Sequence, residues 1–378
     1  MPARKKTSSV RIGVIGTSTF TQRFHLDSLK DHPGARVTAI CGRNRERAQQ
    51  VAASYGIPNV LTDYRKLVAC PEVDAVIVVT PNNTHYPMAL ATIKARKHLF
   101  CEKPLGMNLA EAREMYEKAE TAGIVHMTNF TNRGLPAAIR MKGLLDEGYV
   151  GKPYHLSISV LTSLHRAGTM PWRRDKKQAG TGALGDIGSH MVDLAQWFMG
   201  DIKRVAAHLS TAVNVLRDPE TGKFVRNETD DTCAMVVEFA NGVQGMIHVS
   251  WVAHPGVGGA RLRAEVHGSK GMLCIERTRG VGDPEAWVTV RGAQGDRTKL
   301  EPLFVPYFLV KDLDLSSEDA LISALNRQPF YAACRFVEAV LGNREPSPSL
   351  YDGAKCQAVL DAAVKSSETG RWVAVAQI

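Results

Sequence analysis

Apolar and polar positions follow two alternating periods along the first third of the chain. Short apolar segments of strand length occupy Val10–Ile15, 36–41, 74–80, 97–101 and 124–128. Between them lie longer segments with a helical spacing of apolar residues, at 21–30, Arg45–Tyr55, 85–95 and Leu109–Ala122. Strands that alternate with helices are typical of a parallel sheet with crossover connections. The pattern therefore predicts an α/β first domain, residues 1–131, built on a doubly wound parallel sheet.

The pattern changes after Arg133, where strands begin to follow strands. One helical segment at 136–147 precedes strand patterns at 155–162, 204–213, 231–239, 243–251, 261–267 and 272–275. The turn Ala240-Asn241-Gly242 is typical of a hairpin between two of these strands. Two further helical segments lie near the end, at 330–341 and 352–369. Successive strands indicate an antiparallel sheet, so we expect an α+β second domain, residues 132–378, with an open and mainly antiparallel sheet.

The composition narrows the class of protein. At 378 residues the chain is long enough for two domains, and its 44% hydrophobic and 22% charged content is ordinary for a globular protein. No apolar run approaches the roughly 20 residues that cross a bilayer. The seven cysteines are scattered without a Cys-x-x-Cys pair, which argues against a metal site and for a reducing compartment. We therefore expect a cytoplasmic protein with no membrane partner and no metal.

The net charge of +9 raises the question of nucleic-acid binding. Lys and Arg are spread along the chain and form no basic stripe interleaved with aromatic residues. Because clustering rather than total charge marks a nucleic-acid surface, we expect no nucleic-acid partner. We interpret the charge as a basic surface that attracts anionic phosphates.

The turn after the first strand is a candidate phosphate-binding turn. It reads Gly16-Thr17-Ser18-Thr19-Phe20-Thr21, so only the first glycine of a Gly-x-Gly-x-x-Gly dinucleotide fingerprint is present. Ser18 adds a Cβ where the backbone would approach a pyrophosphate, and Thr21 crowds the helix–strand contact. The following helix still presents backbone N–H groups and a positive dipole end. Taken alone, the turn fits a Rossmann nucleotide site and a plain βα connection equally well.

The residues after the second strand bear on cofactor choice. A carboxylate at this point binds the ribose hydroxyls of NAD and repels the 2′-phosphate of NADP. This chain instead reads Cys41-Gly42-Arg43-Asn44-Arg45. Gly42 removes the carboxylate, and Arg43 offers a planar guanidinium suited to phosphate. The residues predict a preference for NADP(H), with NAD(H) as the alternative if Arg43 is only a solvated turn residue.

Two further motifs suggest acid–base chemistry. Glu102-Lys103-Pro104 follows a buried strand pattern, and Gly185-Asp186-Ile187-Gly188-Ser189-His190 opens an apolar helical segment. Asp186 and His190 are four residues apart, so a helix presents them on one face. A lysine, an aspartate and a histidine can move a hydroxyl proton while a hydride leaves the same carbon. The structural alternatives are a helix-capping Asp186, a buried polar His190 and a surface Lys103.

Five runs in this order and spacing resemble the Gfo/Idh/MocA oxidoreductase family over nearly the whole chain. They are Gly13-Val14-Ile15-Gly16, Thr80-Pro81-Asn82-Asn83-Thr84-His85, Glu102-Lys103-Pro104, Trp172-Arg173 and Asp186-Ile187-Gly188-Ser189-His190. The resemblance implies an NAD(P)-dependent enzyme that transfers hydride between nicotinamide and a secondary alcohol or ketone of a sugar, cyclitol or related polyol. It also implies a cis Lys103–Pro104 bond and a homodimer or homotetramer assembled through the open sheet.

The motifs and the resemblance together predict the site residues. Lys103, Asp186 and His190 are the predicted catalytic residues, with Lys103 on the reacting oxygen and His190 as general base. The predicted cofactor contacts are Gly16, Thr17, Ser18, Thr19, Phe20, Gly42, Arg43, Arg45, Thr80, Pro81, Asn82, Thr84, His85, Glu102, Lys103, Asn129, Trp172 and Arg173. The predicted substrate contacts are Lys103, Arg133, His165, Asp186, His190 and Tyr331, with Arg166 as a further candidate. His85 has an even alternative as a capping or core histidine, and Asp193 is interpreted as structural.

Two other functions remain open on the sequence. One is a redox-neutral sugar-processing enzyme that keeps its NAD(P) bound and recycles it within one turnover. A cofactor that stays bound through purification would favour it. The other is a non-catalytic, nucleotide-sensing regulator of the same fold. Loss of Lys103 or His190 would have favoured a regulator, and both are present.

Overall fold

A computed structural model of the chain describes residues 9–163, 171–217, 221–254, 260–279 and 283–378. The described chain forms two compact units. The first contains the chain up to Phe130 together with Ser323–Ala354, and the second contains Thr131–Ile322 and Lys355–Ile378. Relative to the predicted domains 1–131 and 132–378, the segment 323–354 lies with the first unit.

The first unit is built on a parallel sheet. Among the described residues its six strands lie in the order β3-β2-β1-β4-β5-β6, and every neighbouring pair is parallel. The strands are β1 Val10–Ile15, β2 Ala35–Cys41, β3 Asn59–Leu61, β4 Ala75–Val78, β5 His98–Cys101 and β6 His126–Thr128. This is the strand order of a dinucleotide-binding Rossmann sheet. The predicted doubly wound parallel sheet is therefore confirmed, with the short edge strand β3 as an addition.

Helices connect these strands and bury their apolar faces. A π-helical turn, Thr21–Leu26, continues into α1 Asp27–Leu29. The helices that follow are α2 Arg45–Tyr55, α3 Tyr64–Ala69, α4 His85–Lys94 and α5 Leu109–Ala122. Asn108 caps α5 by accepting a 3.0 Å hydrogen bond from the N–H of Glu111, as N-cap side chains do. Gly56 and Gly123 end α2 and α5 in the left-handed conformation.

The second unit is built on a mixed sheet. Its described strands lie in the order β16-β15-β14-β13-β7-β12-β11-β8-β17, and only β7 and β12 are parallel neighbours among the described pairs. The strands are β7 Pro153–Thr162, β8 Ile202–Ser210, β11 Thr232–Phe239, β12 Gln244–Ser250, β13 Ala260–Gly268, β14 Gly271–Arg279, β15 Val290–Gln294, β16 Glu301–Leu303 and β17 Val373–Ala374. A separate hairpin pairs β9 Val215–Arg217 with β10 Phe224–Arg226. The predicted open, mainly antiparallel sheet is confirmed.

One face of this sheet is buried and the other is open. Along β7 the side chains of Leu156, Ile158 and Val160 are buried, while those between them are at least partly exposed. Helix α8 Ser189–Met199 contacts β7 and buries nine of its eleven residues. The remaining helices are α6 Pro136–Asp146, α7 Lys176–Ala179, α9 Glu318–Asn326, α10 Ala332–Gly342 and α11 Leu350–Thr369.

The segment 323–354 belongs to the first unit because of its apolar contacts. Phe336 on α10 is fully buried, and its ring centroid lies 5.5 Å from that of Phe100 on β5. Ala333 and Val337 join the same cluster of buried side chains around β1, β2 and β4. The sequence predicted a helix here at 330–341 but placed it in the second domain.

No described helix is long and apolar enough to cross a bilayer. Within the same residues, no group of three or more His, Cys, Asp or Glu side chains is arranged to hold a metal ion.

Candidate functional site

Gly16 ends β1 in a conformation that requires glycine. Its φ is +128°, and a Cβ there would lie 2.1 Å from the carbonyl oxygen of Val79. The two departures from the glycine fingerprint form a local cap. Ser18 Oγ accepts a 3.1 Å hydrogen bond from the N–H of Thr21 and lies 2.9 Å from Thr21 Oγ1. Hydroxyl hydrogen bonds therefore order this turn where further glycines usually stand.

The end of β2 adjoins the same turn. A Cβ on Gly42 would lie 2.6 Å from Thr17 Cγ2, so a glycine allows the two segments to approach closely. Arg47 on α2 donates a 3.0 Å hydrogen bond from Nε to the carbonyl oxygen of Thr17. Arg43 and Arg45 are exposed beside this contact. The structure thus brings the predicted residues of the turn and of strand two together around a basic surface.

The segment after β4 is ordered by its own polar side chains. Thr84 Oγ1 donates a 2.6 Å hydrogen bond to the carbonyl oxygen of Pro81 and lies 2.8 Å from Thr80 Oγ1. Asn82 is buried in the short 3₁₀ turn Asn82–Thr84.

His85 is a predicted cofactor contact whose alternative is a capping or core histidine. Its ring is fully buried, with Nδ1 2.9 Å from the carbonyl oxygen of Pro104 and Nε2 2.9 Å from that of Thr80. Both nitrogens face backbone carbonyl oxygens, so the ring links the 80–84 segment to the Lys103 loop, as a core histidine does. Burial lowers the pKa of His85 below its usual value.

Glu102 is the centre of a buried network at the end of β5. The residue is 6% exposed; Oε1 accepts a 2.6 Å hydrogen bond from Asn129 Nδ2 and lies 2.9 Å from His25 Nε2. Burial raises the pKa of Glu102, but hydrogen bonds from His25 and Asn129 and the charge of Lys103 outweigh it and lower the pKa below its usual value. The sequence analysis missed His25, which lies 77 residues from its partner.

The residues of the first unit fit a dinucleotide. Asn129 Oδ1 is buried and has no hydrogen-bond partner among the described residues, so an acceptor is left for a ligand donor. The missing side chains of Gly16 and Gly42 allow the turn to lie close to Val79 and to the end of β2. Lys103 is half-buried next to Glu102, and its bond to Pro104 is cis, which confirms the expectation.

The predicted Asp186 and His190 belong to the second unit. Asp186 lies in a π-helical turn, Leu184–Gly188, and His190 is the second residue of α8, which continues it. The turn is capped by Asp230, whose carboxylate accepts hydrogen bonds from the N–H groups of Gly182 (2.6 Å) and Leu184 (2.8 Å). A Cβ on Gly182 would lie 1.9 Å from the carbonyl oxygen of Asp230. Neither Gly182 nor Asp230 was singled out from the sequence.

Trp172 and Arg173 lie beside Asp186 in this unit. Arg173 Nε is 3.2 Å from Asp186 Oδ1, and its guanidinium stacks 4.4 Å from the Trp172 ring centroid. Arg173, predicted to contact the cofactor, therefore also contacts a predicted catalytic carboxylate. Thr229 Oγ1 donates a 3.0 Å hydrogen bond to the carbonyl oxygen of Arg173 and supports this position.

The other predicted substrate contacts that the structure describes, Arg133 and Tyr331, are buried. Arg133 forms a bidentate ion pair with Asp193, at 2.9 and 2.6 Å, and both side chains are at most 5% exposed. This pair gives Asp193 the structural role expected of it. Tyr331 is buried at the start of α10 in the first unit. His165 and Arg166 lie outside the described residues.

Two family models match successive parts of the chain. Residues 10–130 match the Gfo/Idh/MocA oxidoreductase family model with an NAD-binding Rossmann fold, and residues 138–274 match a Gfo/Idh/MocA C-terminal domain model. The chain is 30% identical over 354 residues to a levoglucosan dehydrogenase of Pseudarthrobacter phenanthrenivorans, covering 90% of this chain and 89% of the relative. It is 31% identical over 370 residues to a myo-inositol 2-dehydrogenase of Thermotoga maritima, covering 98% and 99%.

Solved structures agree with this grouping. A levoglucosan dehydrogenase in complex with NADH and L-sorbose superposes with a TM-score of 0.85 at 27% identity, covering 98% of this chain and 100% of that one. The sheet order, the motif positions and these similarities lead to one assignment. The chain belongs to the Gfo/Idh/MocA family of NAD(P)-dependent oxidoreductases and is an enzyme of the dehydrogenase and reductase class that acts on CH–OH groups.

Proposed function

We propose that this enzyme prefers NADP(H) and transfers hydride between nicotinamide and a secondary alcohol or ketone carbon of a sugar, cyclitol or related polyol. The observation that carries the proposal is the convergence of predicted motifs at the carboxyl ends of β1, β2, β4 and β5. Ligands of doubly wound sheets bind at this edge. The relatives named for levoglucosan and myo-inositol support the substrate class.

Residues of the first unit would hold the dinucleotide. The N–H groups of residues 17–20 would face the phosphates, since that of Gly16 donates to the carbonyl oxygen of Cys41. Asn129 Oδ1 and Glu102 would accept hydrogen bonds from the nicotinamide half. The bound dinucleotide supplies the hydride acceptor or donor. Lys103 donates a hydrogen bond to the reacting oxygen and stabilises charge that develops there.

Residues of the second unit would manage the proton. His190 accepts the hydroxyl proton during alcohol oxidation and returns it during carbonyl reduction. Asp186 accepts a hydrogen bond from a neighbouring substrate hydroxyl, and Arg173 keeps that carboxylate oriented. In this proposal Lys103 stabilises charge on the reacting oxygen, and His190 carries the proton of that oxygen.

The preference for NADP(H) rests on Gly42 and Arg43. Gly42 leaves no carboxylate at the end of β2, and the exposed Arg43 guanidinium offers a bidentate partner for a 2′-phosphate. Arg45 and Arg47 add positive charge on the first turn of α2.

Assembly through the open face of the second sheet is part of the proposal. Val236 and Met246 lie opposite each other on β11 and β12, and they are 47% and 54% exposed. Adjacent exposed apolar side chains on a sheet face favour a homodimer or homotetramer. Light scattering after gel filtration tests this, because Met246→Lys should lower the measured mass of the assembly.

A substrate and cofactor panel tests the proposed activity. Sugars, cyclitols and their keto forms are assayed with NADP(H) and with NAD(H) by the absorbance of the reduced nicotinamide. Turnover of at least one of these classes is expected, with a higher kcat/KM for NADP(H). Turnover confined to other alcohols would contradict the substrate class.

Arg43→Ala tests the cofactor preference separately. The variant should weaken NADP(H) binding by about 2–3 kcal/mol, the scale of a charge-assisted hydrogen bond, and leave NAD(H) binding nearly unchanged. Arg65→Ala, which removes another exposed arginine of the same unit, is the matched control. Equal affinity of the unmodified enzyme for NADH and NADPH would overturn the preference.

A further inference from the structure

We propose that His25 is a positioning residue, which holds the Glu102 carboxylate and through it the loop that carries Lys103. The inference deepens the proposed function, since its readouts are dinucleotide binding and turnover at the same site. It concerns a side chain that no motif in the chain singled out.

His25 is itself held in one orientation. It projects from the π-helical turn Thr21–Leu26 and is 0% exposed. The rings of Phe20 and Phe100 meet the imidazole edge-on, with centroids 5.7 and 5.4 Å away. Edge-to-face packing of this kind fixes ring orientation. Nε2 is thereby directed at Glu102 Oε1, at 2.9 Å.

Glu102 needs such a partner because it is a buried carboxylate. Moving a carboxylate out of water is costly unless charged or hydrogen-bonding groups surround it. His25 and Asn129 both bind Oε1, and the backbone N–H of Lys103 approaches Oε2 at 3.4 Å. The charge of Lys103 also favours the ionised form. Of the two side chains that bind Oε1, Asn129 would be left to orient the carboxylate if His25 were replaced.

The network connects two segments of the site. His25 lies in the π-helical turn Thr21–Leu26, which follows directly on the Gly16–Phe20 turn. Glu102 immediately precedes Lys103. The His25–Glu102 contact therefore relates the position of the phosphate-binding turn to that of the catalytic lysine. A residue that acts this way should affect the nicotinamide half of the site and leave the adenosine half unchanged.

The test compares His25→Gln and His25→Leu with the unmodified enzyme by isothermal titration. The first probe is the reduced dinucleotide, NADPH or NADH, that the unmodified enzyme binds more tightly. The second probe is its adenosine half, which is 2′,5′-ADP for NADPH and ADP for NADH. His25→Leu should weaken the dinucleotide about tenfold, the scale of a hydrogen bond to a charged group, and lower kcat, with the adenosine half bound as before. His25→Gln retains an N–H donor and should stay within about threefold of the unmodified enzyme.

His126→Leu is the matched control. His126 is another buried histidine of the first unit paired with a glutamate, at 2.8 Å from Glu120 Oε1, away from the Lys103 loop. Its loss should lower the melting temperature while leaving dinucleotide affinity and kcat within about twofold, because the polar contacts it removes are those to Glu120 and to the N–H of Leu350.

Glu102→Gln supplies a variant cycle if His25→Leu does not fold. Because His25 acts through Glu102, adding His25→Leu to Glu102→Gln, where no buried carboxylate is left unpaired, should cost no further dinucleotide affinity than Glu102→Gln alone. A further loss in the double variant would overturn the proposal, as would equal weakening of dinucleotide and adenosine half in His25→Leu. Unchanged dinucleotide binding in a folded His25→Leu would also overturn it. A failure of the proposed function appears differently, as an unmodified enzyme that binds neither dinucleotide or turns over no sugar or cyclitol.

Discussion

Lys103 owes its proposed role to its surroundings at the end of β5. Its side chain is half-buried, and the residue before it, Glu102, is an ionised carboxylate in a buried network. The carbonyl oxygen of Pro104, the residue after it, contacts His85 Nδ1. These neighbours hold the backbone on both sides of the lysine. In the proposed mechanism, the lysine held in this way donates a hydrogen bond to the reacting oxygen.

Lys103→Met should lower kcat by about a hundredfold or more, the scale of losing one donor to a developing oxyanion. Dinucleotide affinity should change little, because the proposed role of the ammonium group is toward substrate. Steady-state kinetics on the best substrate of the panel, together with dinucleotide titration, checks both statements. Near-normal turnover in this variant would remove Lys103 from the mechanism.

His85 makes stability depend on pH. Its folded pKa lies below the ordinary value of 6.5 because burial disfavours the charged ring. The unfolded chain therefore takes up a proton near pH 6.5 while the folded chain does not, so the stabilising contribution is complete above that pH and declines as the pH falls below it.

Urea unfolding between pH 7.5 and pH 5 checks this sign, over a range of about one unit or more either side of the free imidazole pKa. The free energy of unfolding should decrease toward pH 5 in the unmodified enzyme, and less steeply in His85→Gln, because a glutamine side chain does not titrate. The two slopes differ by at most about 1.4 kcal/mol per pH unit, the value for one proton. Parallel curves would contradict the assignment.

At the scale of elements, two π-helical turns stand at two of the predicted motifs. Thr21–Leu26 follows the Gly16 turn and carries His25, and Leu184–Gly188 carries Asp186. π-Helical turns are rare and occur frequently at functional sites, because the wider turn redirects side chains. The second turn depends on a distant cap, the carboxylate of Asp230.

Asp230→Ala should destabilise the protein and reduce kcat together. It leaves the N–H groups of Gly182 and Leu184 without their acceptor, at about 1–3 kcal/mol for each buried donor. Displacement of the turn then moves Asp186. Chemical unfolding and kinetics measure both effects, with Asp175→Ala as control, since Asp175 caps the short helix Lys176–Ala179. A stable variant with unchanged kcat would show that the cap is dispensable.

At the scale of the whole molecule, the first unit is completed by residues that come after the second. Helix α10 buries Phe336 against the parallel sheet more than two hundred residues after β5. Such a contact makes the Rossmann sheet dependent on the far end of the chain.

Phe336→Ala should lower the stability of the first unit by about 3–5 kcal/mol, the range for truncating a buried phenylalanine. Thermal unfolding with and without dinucleotide measures the loss, because a ligand that binds the folded first unit raises its melting temperature. Phe304→Ala, at a side chain 73% exposed, is the control and should leave the melting temperature unchanged. Equal melting temperatures for Phe336→Ala and the unmodified enzyme would refute the dependence.

The sequence by itself determined the kinds of element, the class of each sheet and the identity of the motifs. Hydrophobic periodicity is a local property, so long segments such as Arg45–Tyr55 and Leu109–Ala122 were predicted with the bounds observed. The strands β3, β9, β10, β15 and β16 and the helices α3, α7 and α9 were not predicted. All of these but α9 have six residues or fewer, which carry too little periodicity to be recognised.

Only the tertiary structure decided which side chains meet. His25 pairs with Glu102 across 77 residues, Arg133 with Asp193 across 60, and Asp230 caps Gly182 across 48. The position of both His85 ring nitrogens against carbonyl oxygens likewise follows from the fold. A partner at such separation depends on strand order, helix packing and side-chain volume throughout the unit, and a local pattern records none of these.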